Sequence, residues 1–218
     1  DEAELQMPLK VYTKDGILIG EFGEIKRRSI TYTEIPENIK NAFLAAEDDN
    51  FFNHQGISYT GLIRSFIRCL RPSGCEGGGG TITMQVVRGY LLTREQTVIR
   101  KIKEIFLALE LEGNLEKEEI FELYVNRIFL GNRSYGIEAA ANTYLDKNIK
   151  ELSISESATI AALAQLPSRV NPVKDPRRTK LRRNWILSRM LSLGYIDEIQ
   201  YKEAVSQDLK IANNINLY

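Results

Sequence analysis

From Pro36 onward, apolar residues recur at spacings of three and four, placing Ile39, Ala42, Phe43 and Ala46 on one side of the chain. That period predicts an amphipathic helix, and Pro36 suits its first turn. Glu47 and Asp48 then fall at its C-terminal end. The same period returns between Arg100 and Glu112, where Ile102, Ile105, Phe106 and Leu109 form the expected core stripe. Lys101, Glu104 and Ala108 fall on a neighbouring face. Asn114 is placed to cap a helix through Ile120, Leu123 and Tyr124, with Gly131 beyond its end. Ser153 and Glu156 make a capping-box pattern before Ile154, Ala158, Ala161 and Ala162, and Pro167 stops that run. Two further helices are predicted across Pro176 to Leu193 and Asp197 to Ser206. Strand character is confined to the beginning, where β-prone runs from Lys10 to Phe22 surround Asp15-Gly16, a hairpin signal.

Between Tyr59 and Leu70 the pattern changes. Leu62, Ile63, Phe66 and Ile67 alternate with Arg64 and Arg68, and Arg71 follows before Pro72. As a helix this carries an apolar stripe beside a cationic one, which suits either the surface of an anionic membrane or an ordinary core-packed face. The run is interrupted by arginine, so it does not span a bilayer. Glu76 then leads into Gly77-Gly78-Gly79-Gly80-Thr81-Ile82-Thr83-Met84-Gln85. Four glycines read either as a mobile linker or as backbone kept bare for a ligand. No Gly-Lys-Ser/Thr follows, so the run is not a nucleotide P-loop.

A chain of 218 residues can bury its own core in one main domain. With 29 basic and 29 acidic residues the formal charge is zero, which disfavours a nucleic-acid binder. Charge-driven recognition is therefore expected to be local. Cys69 and Cys75 flank a turn-forming stretch that a disulfide is able to close, and they pair or stay reduced according to compartment. One histidine and two cysteines do not make a zinc set. The chain begins at Asp1 and no signal peptide is visible, so it is expected to be a piece of a longer protein.

The chemistry concentrates in Ala46-Glu47-Asp48-Asp49-Asn50-Phe51-Phe52-Asn53-His54-Gln55-Gly56. A carboxylate at a helix end, shielded by aromatic rings, has its proton affinity raised toward neutral pH, as a general base requires. The alternative is a solvated acidic helix end, with Phe51 and Phe52 dropping into the core. At Arg100, Lys101 and Glu104 the choice lies between an anion-binding face and surface pairs worth a few tenths of a kcal/mol.

Several separate motifs resemble one family, the peptidoglycan glycosyltransferase domain of bifunctional penicillin-binding proteins. Its Glu-Asp-x-x-Phe-x-x-His-x-Gly motif is met by Glu47, Asp48, Phe51, His54 and Gly56. Its Gly-Gly-Ser-Thr-Ile-Thr-Gln-Gln motif is met by Gly78, Gly79, Thr81, Ile82, Thr83 and Gln85, and its Arg-Lys-x-x-Glu motif by Arg100, Lys101 and Glu104. Further motifs appear at Tyr124, Asn126, Gly131, Gly136, Ala139 and Ala140, from Glu151 to Pro167, and at Arg182-Arg183-Asn184.

The resemblance implies a mainly α, lysozyme-like fold with a small membrane-facing lobe. Residues 1–35 would form a β segment packed on a domain over 36–218, with about 57–95 as lobe and mobile loop. It implies polymerisation of lipid II, with Glu47 as base and Glu104 assisting leaving-group departure. Asp48, Thr81, Thr83, Gln85, Arg88, Arg100, Lys101 and Asn126 would then bind substrate, with Asp48 also holding the loop. Phe51, His54 and Gly56 would support the loop, with His54 as base the alternative. A divalent cation, Mg or Mn, is a candidate aid near Glu104, and no organic cofactor is implied. Trp185 reads as core rather than sugar platform.

The implied partners are lipid II, the growing lipid-linked strand and the membrane surface, on the periplasmic face of the bacterial inner membrane. A transmembrane anchor and a transpeptidase domain are expected in the full-length protein. No Ser-x-x-Lys occurs in this chain, so penicillin acylation is not expected. Two departures stand out: Gly80 where the family usually has Ser, and Met84 where it often has Gln. Each is expected to remove a polar side chain from a phosphate-facing loop. A glycan-cleaving enzyme of the same fold and a noncatalytic scaffold are the competing readings.

Overall fold

Eight α-helices occur among the described residues: α1 (Glu37–Glu47), α2 (Ile82–Tyr90), α3 (Val98–Asn114), α4 (Lys117–Arg127), α5 (Ile137–Leu145), α6 (Ile154–Ala162), α7 (Pro176–Ser192) and α8 (Glu198–Ser206). Two short strands, β1 (Leu9–Tyr12) and β2 (Leu18–Phe22), pair antiparallel with Leu9 opposite Phe22. The computed structural model describes residues 9–12, 18–22, 29–58, 80–90, 98–167 and 169–212. The turn expected at Asp15-Gly16, the helix expected from Tyr59 to Leu70, both cysteines and Gly77 to Gly79 lie outside them.

Small side chains set the centre. Every residue of α6 from Ser155 to Ala162 except Glu156 is buried, and α1 and α7 both pack against it and against each other. Serine and alanine let three backbones approach closely, and a helix buried all round needs no amphipathic stripe. The expected capping box starts it: Glu156 N–H donates to Ser153 Oγ at 3.2 Å, and Ser153 N–H to Glu156 Oε2 at 2.9 Å. A second layer places α2 between α3 and α4.

Two local readings are corrected. Asn114 does not cap α4; it is the last residue of α3, where its side-chain amide donates to Glu110 O at 2.7 Å. The chain enters α4 through Glu116, whose N–H donates to Glu119 Oε2 at 2.8 Å. The stripe on α3 is also turned outward, with Ile102 50%, Phe106 67% and Leu109 41% exposed, whereas Glu104 and Ala108 are fully buried. Steric access decides this. Ala108 O would stand 2.8 Å from a Cβ on Gly56, so the loop approaches this face of α3 this closely only with a glycine at 56, where φ is +77°.

The approach to α1 is anchored from α4. Asn126 acts as a surrogate peptide: Oδ1 accepts from Ile30 N–H at 2.9 Å, while Nδ2 donates to Ile30 O at 2.8 Å and to Glu122 O at 2.9 Å. Tyr32 N–H donates to Glu122 Oε2 at 2.8 Å, and Ile30 and Ile35 are buried beneath.

At the other end, Arg183 lies wholly within the protein. Nη1 donates to Gln207 O at 2.7 Å and Ser155 Oγ at 3.1 Å, and Nη2 to Val205 O at 3.1 Å. The guanidinium thus satisfies carbonyls at the C-terminus of α8, where a cation is favoured, and ties that helix to α6. Replacing it with an apolar residue strands those carbonyls. Arg183→Leu is expected to cost about 3 kcal/mol or more in urea unfolding, and Arg183→Lys to recover only part, because an ammonium lacks the planar fork.

Candidate active site

Three consecutive acids leave the end of α1, and each has a different partner. Glu47 Oε2 accepts from Gln85 Nε2 at 2.9 Å. Asp48 accepts from His54 Nε2 at 2.9 Å and from Ile82 N–H at 3.0 Å. Asp49 is held by Arg189 of α7. The acidic run is therefore not a solvated helix end. Phe51 does enter the core, while Phe52 stays 43% exposed with its ring edge-on to Phe51 at 5.1 Å.

Asp48 is buried, and its carboxylate faces the first N–H of α2, where the helix dipole favours negative charge. Thr81 completes that helix start. Its Oγ1 accepts from Met84 N–H at 3.1 Å and donates to Gly56 O at 2.6 Å. Thr83, also fully buried, donates to Glu112, which Lys117 neutralises at 2.7 Å while lying 4.5 Å above the Phe51 ring. The polar atoms of Asp48, Thr81, Thr83 and Asn126 thus join α1, the loop after it, α2 and α4. His54 and Gly56 support the same loop.

Glu47 is half-buried. Burial raises its carboxyl above the ordinary value, and the Gln85 hydrogen bond and the charges of Arg182 and Arg88 oppose the rise. Tyr124 stands beneath it from α4. Its hydroxyl is buried with no protein partner, and burial, reinforced by the Glu47 charge, pushes the phenol well above its usual range. Tyr124 and Arg182 belong to motifs visible in the sequence, but nothing in their spacing revealed that they converge on Glu47.

On the other side of α2, Glu104 is fully buried between two cations of its own helix. Arg100 Nη1 lies 2.7 Å from Oε2 and Lys101 Nζ 2.9 Å from Oε1. The pairs are those expected of a surface face, but the carboxylate is not at the surface. A Cβ on Gly80 would stand 3.6 Å from Glu104 Oε1 and 3.9 Å from Lys101 Nζ. A side chain at position 80 would thus lie in van der Waals contact with this triad. Met84, in contrast, is 1% exposed and packs with Val87 and Ala108, so it removes nothing from a phosphate-facing surface.

Among the described residues no group of three His, Cys, Asp or Glu side chains is placed to hold a metal ion. Both oxygens of Glu104 already face cations, so its donor set does not suit Mg or Mn, and no chemical step is routed through one. Trp185 is corrected from core to surface: it is 45% exposed, with the Arg182 guanidinium 4.1 Å from its ring.

A family profile described as Transglycosylase matches residues 15–191. The chain is 51% identical over 97% of its length to penicillin-binding protein 1A of Pseudomonas aeruginosa, of which it covers 26%. It is 42% identical over 93% of its length to penicillin-binding protein 1A of Escherichia coli, of which it covers 24%. The 2.6 Å crystal structure of penicillin-binding protein 1A from Haemophilus influenzae matches it with a TM-score of 0.56 and 32% identity, covering 96% of this chain and 22% of that one. The chain thus spans about a quarter of these relatives. A mostly helical architecture, a shielded glutamate at the end of α1 and a match over most of its length agree: this chain belongs to the transglycosylase family, in the form that penicillin-binding proteins carry.

Proposed function

We propose that this chain polymerises lipid II into β-1,4-linked glycan strands by inverting glycosyl transfer. The observation that carries the reading is Glu47, a carboxylate whose proton affinity is raised by burial while Gln85 fixes one of its oxygens. In this reaction the 4-hydroxyl of the acceptor sugar attacks the anomeric carbon of the donor. The new O–C bond forms as the bond from that carbon to the diphosphate oxygen breaks, the hydroxyl proton passes to Glu47, and polyprenyl diphosphate leaves. Attack opposite the leaving group converts an α-linked donor into a β linkage.

The departing diphosphate carries negative charge, and this chain offers Arg100, Lys101 and Arg88 to receive it. Glu104 orients the first two at short range. It assists departure by holding them ready rather than by giving a proton. A glycan-cleaving enzyme has no comparable need for cations there. The exposed apolar stripe of Ile102, Phe106 and Leu109, on the same helix as these cations, suits a substrate whose diphosphate is joined to a lipid. No helix among the described residues is long and apolar enough to cross a membrane. We place the domain at the periplasmic face of the inner membrane, within a longer protein that supplies an anchor and a transpeptidase domain.

Two measurements test this reading. With labelled lipid II in detergent, Glu47→Gln is expected to lower polymer formation by about 10²-fold or more, because the amide accepts no proton; polymer at the parent rate would remove Glu47 from the mechanism. The pH dependence follows from the raised carboxyl. Activity should be full above the Glu47 value and fall as pH drops through it, with the acidic limb centred above the ordinary carboxylate range. Initial rates across pH locate that limb.

A further inference from the structure

Glu47 is packed from four elements. Its own helix end contributes Asp48, α2 contributes Gln85 and Arg88, α4 contributes Tyr124, and α7 contributes Arg182. Asp48 is committed to His54 and the start of α2, and Gln85 binds the carboxylate directly. Arg88, from the last turn of α2, is one of the cations offered to the diphosphate. Arg182 has no part in the chemistry described so far.

Its geometry is restrained at both ends. Nη2 donates to the carbonyl of Ala46 at 3.3 Å, and Ala46 is the residue before Glu47. That carbonyl is one of the last four of α1, which have no partner within the helix. The guanidinium plane lies 4.1 Å from the Trp185 ring, one turn further along α7, a spacing at which cation–π attraction holds an arginine in place. Arg182 Nε is sealed from solvent without a protein partner. A buried donor left unmatched is unfavourable.

We propose that Arg182 is a positioning residue for the catalytic base: clamped between the Ala46 carbonyl and Trp185, it fixes the last turn of α1 and keeps a positive charge behind Glu47. The proposal rests on the reading of Glu47 as base. Burial raises the Glu47 carboxyl, and Asp48 adds to the rise; Arg182 and Arg88 pull against both. Without Arg182 the carboxyl rises further, and more of the protein holds a protonated, inactive base near neutral pH. Loss of the clamp also lets the end of α1 turn, misdirecting the carboxylate even where it is ionised.

The test is kcat/KM for lipid II polymerisation as a function of pH in the parent, Arg182→Gln, Arg182→Lys and Trp185→Leu, with Glu47→Gln as reference and thermal melting as a check of folding. Gln removes the charge, whereas Lys keeps it without the planar fork. The acidic limb should move up by about one pH unit in Arg182→Gln. In Arg182→Lys and Trp185→Leu the limb should stay nearer its parent position while kcat falls roughly tenfold through lost orientation. A folded Arg182→Gln protein whose acidic limb does not move would overturn the proposal, as would equal lowering of all three rates at unchanged limb position. If Glu47→Gln keeps the parent rate and limb, the assignment of the base fails instead, and the two failures are told apart.

Discussion

The carboxylate of Asp48 joins three pieces of this structure at one point. It ends α1, it receives the ring N–H of His54 from the following loop, and it receives the first N–H of α2. Charge-assisted bonds of this kind are worth about 1.5 to 3 kcal/mol each, and a buried carboxylate deprived of them is costly. Their structural effect matters more than their energy. Glu47 is the residue before Asp48, and Gln85 lies one turn into α2, so the 2.9 Å bond between them holds only while the junction fixes one helix against the other. Glu47 is positioned by its neighbour.

Charge is handled in opposite ways on the two sides of α2. Around Glu47, burial makes a carboxylate readier to accept a proton, and the arginines limit how far that goes. Around Glu104, a carboxylate buried to the same end of the scale as the apolar core is surrounded by cations that remain partly exposed, Arg100 at 18% and Lys101 at 30% of their side-chain surface. The carboxylate is sealed inside, and the two cations that flank it are not. Preorganised cations of this type require little rearrangement when an anion arrives. Gly80 places no side chain against them.

Much of the helical order was legible because local chemistry marked it. Ser153 with Glu156, Asp197 with Gln200 and Pro176 after Asp175 each begin a helix where sequence reasoning places one. The fate of a face was harder to read. The period of Ile102, Phe106 and Leu109 identifies a stripe but not whether it is covered, and the burial of Glu104 between Arg100 and Lys101 leaves no local mark. Glu47 was legible as a shielded carboxylate. The internal partners of Thr81, Thr83 and Asn126 were not, because a hydroxyl or an amide offers the same donors to a phosphate as to the protein itself, and only the fold shows which protein groups it meets. Arg182 and Tyr124 converge on Glu47 from helices far apart in sequence, which no local pattern records.

The buried Arg183 sets a limit on how this domain is cut or joined to others. Its partners include backbone oxygens at Val205 and Gln207, supplied by the segment that closes α8. A version of the protein trimmed before Gln207 would take from this buried cation the 2.7 Å oxygen of Gln207 and leave it Val205 O, Ser155 Oγ and Asn184 Oδ1 alone. Fusion partners, permuted termini and shortened variants intended to retain the fold should therefore leave the chain intact past that residue, although α8 itself touches none of the groups around Glu47.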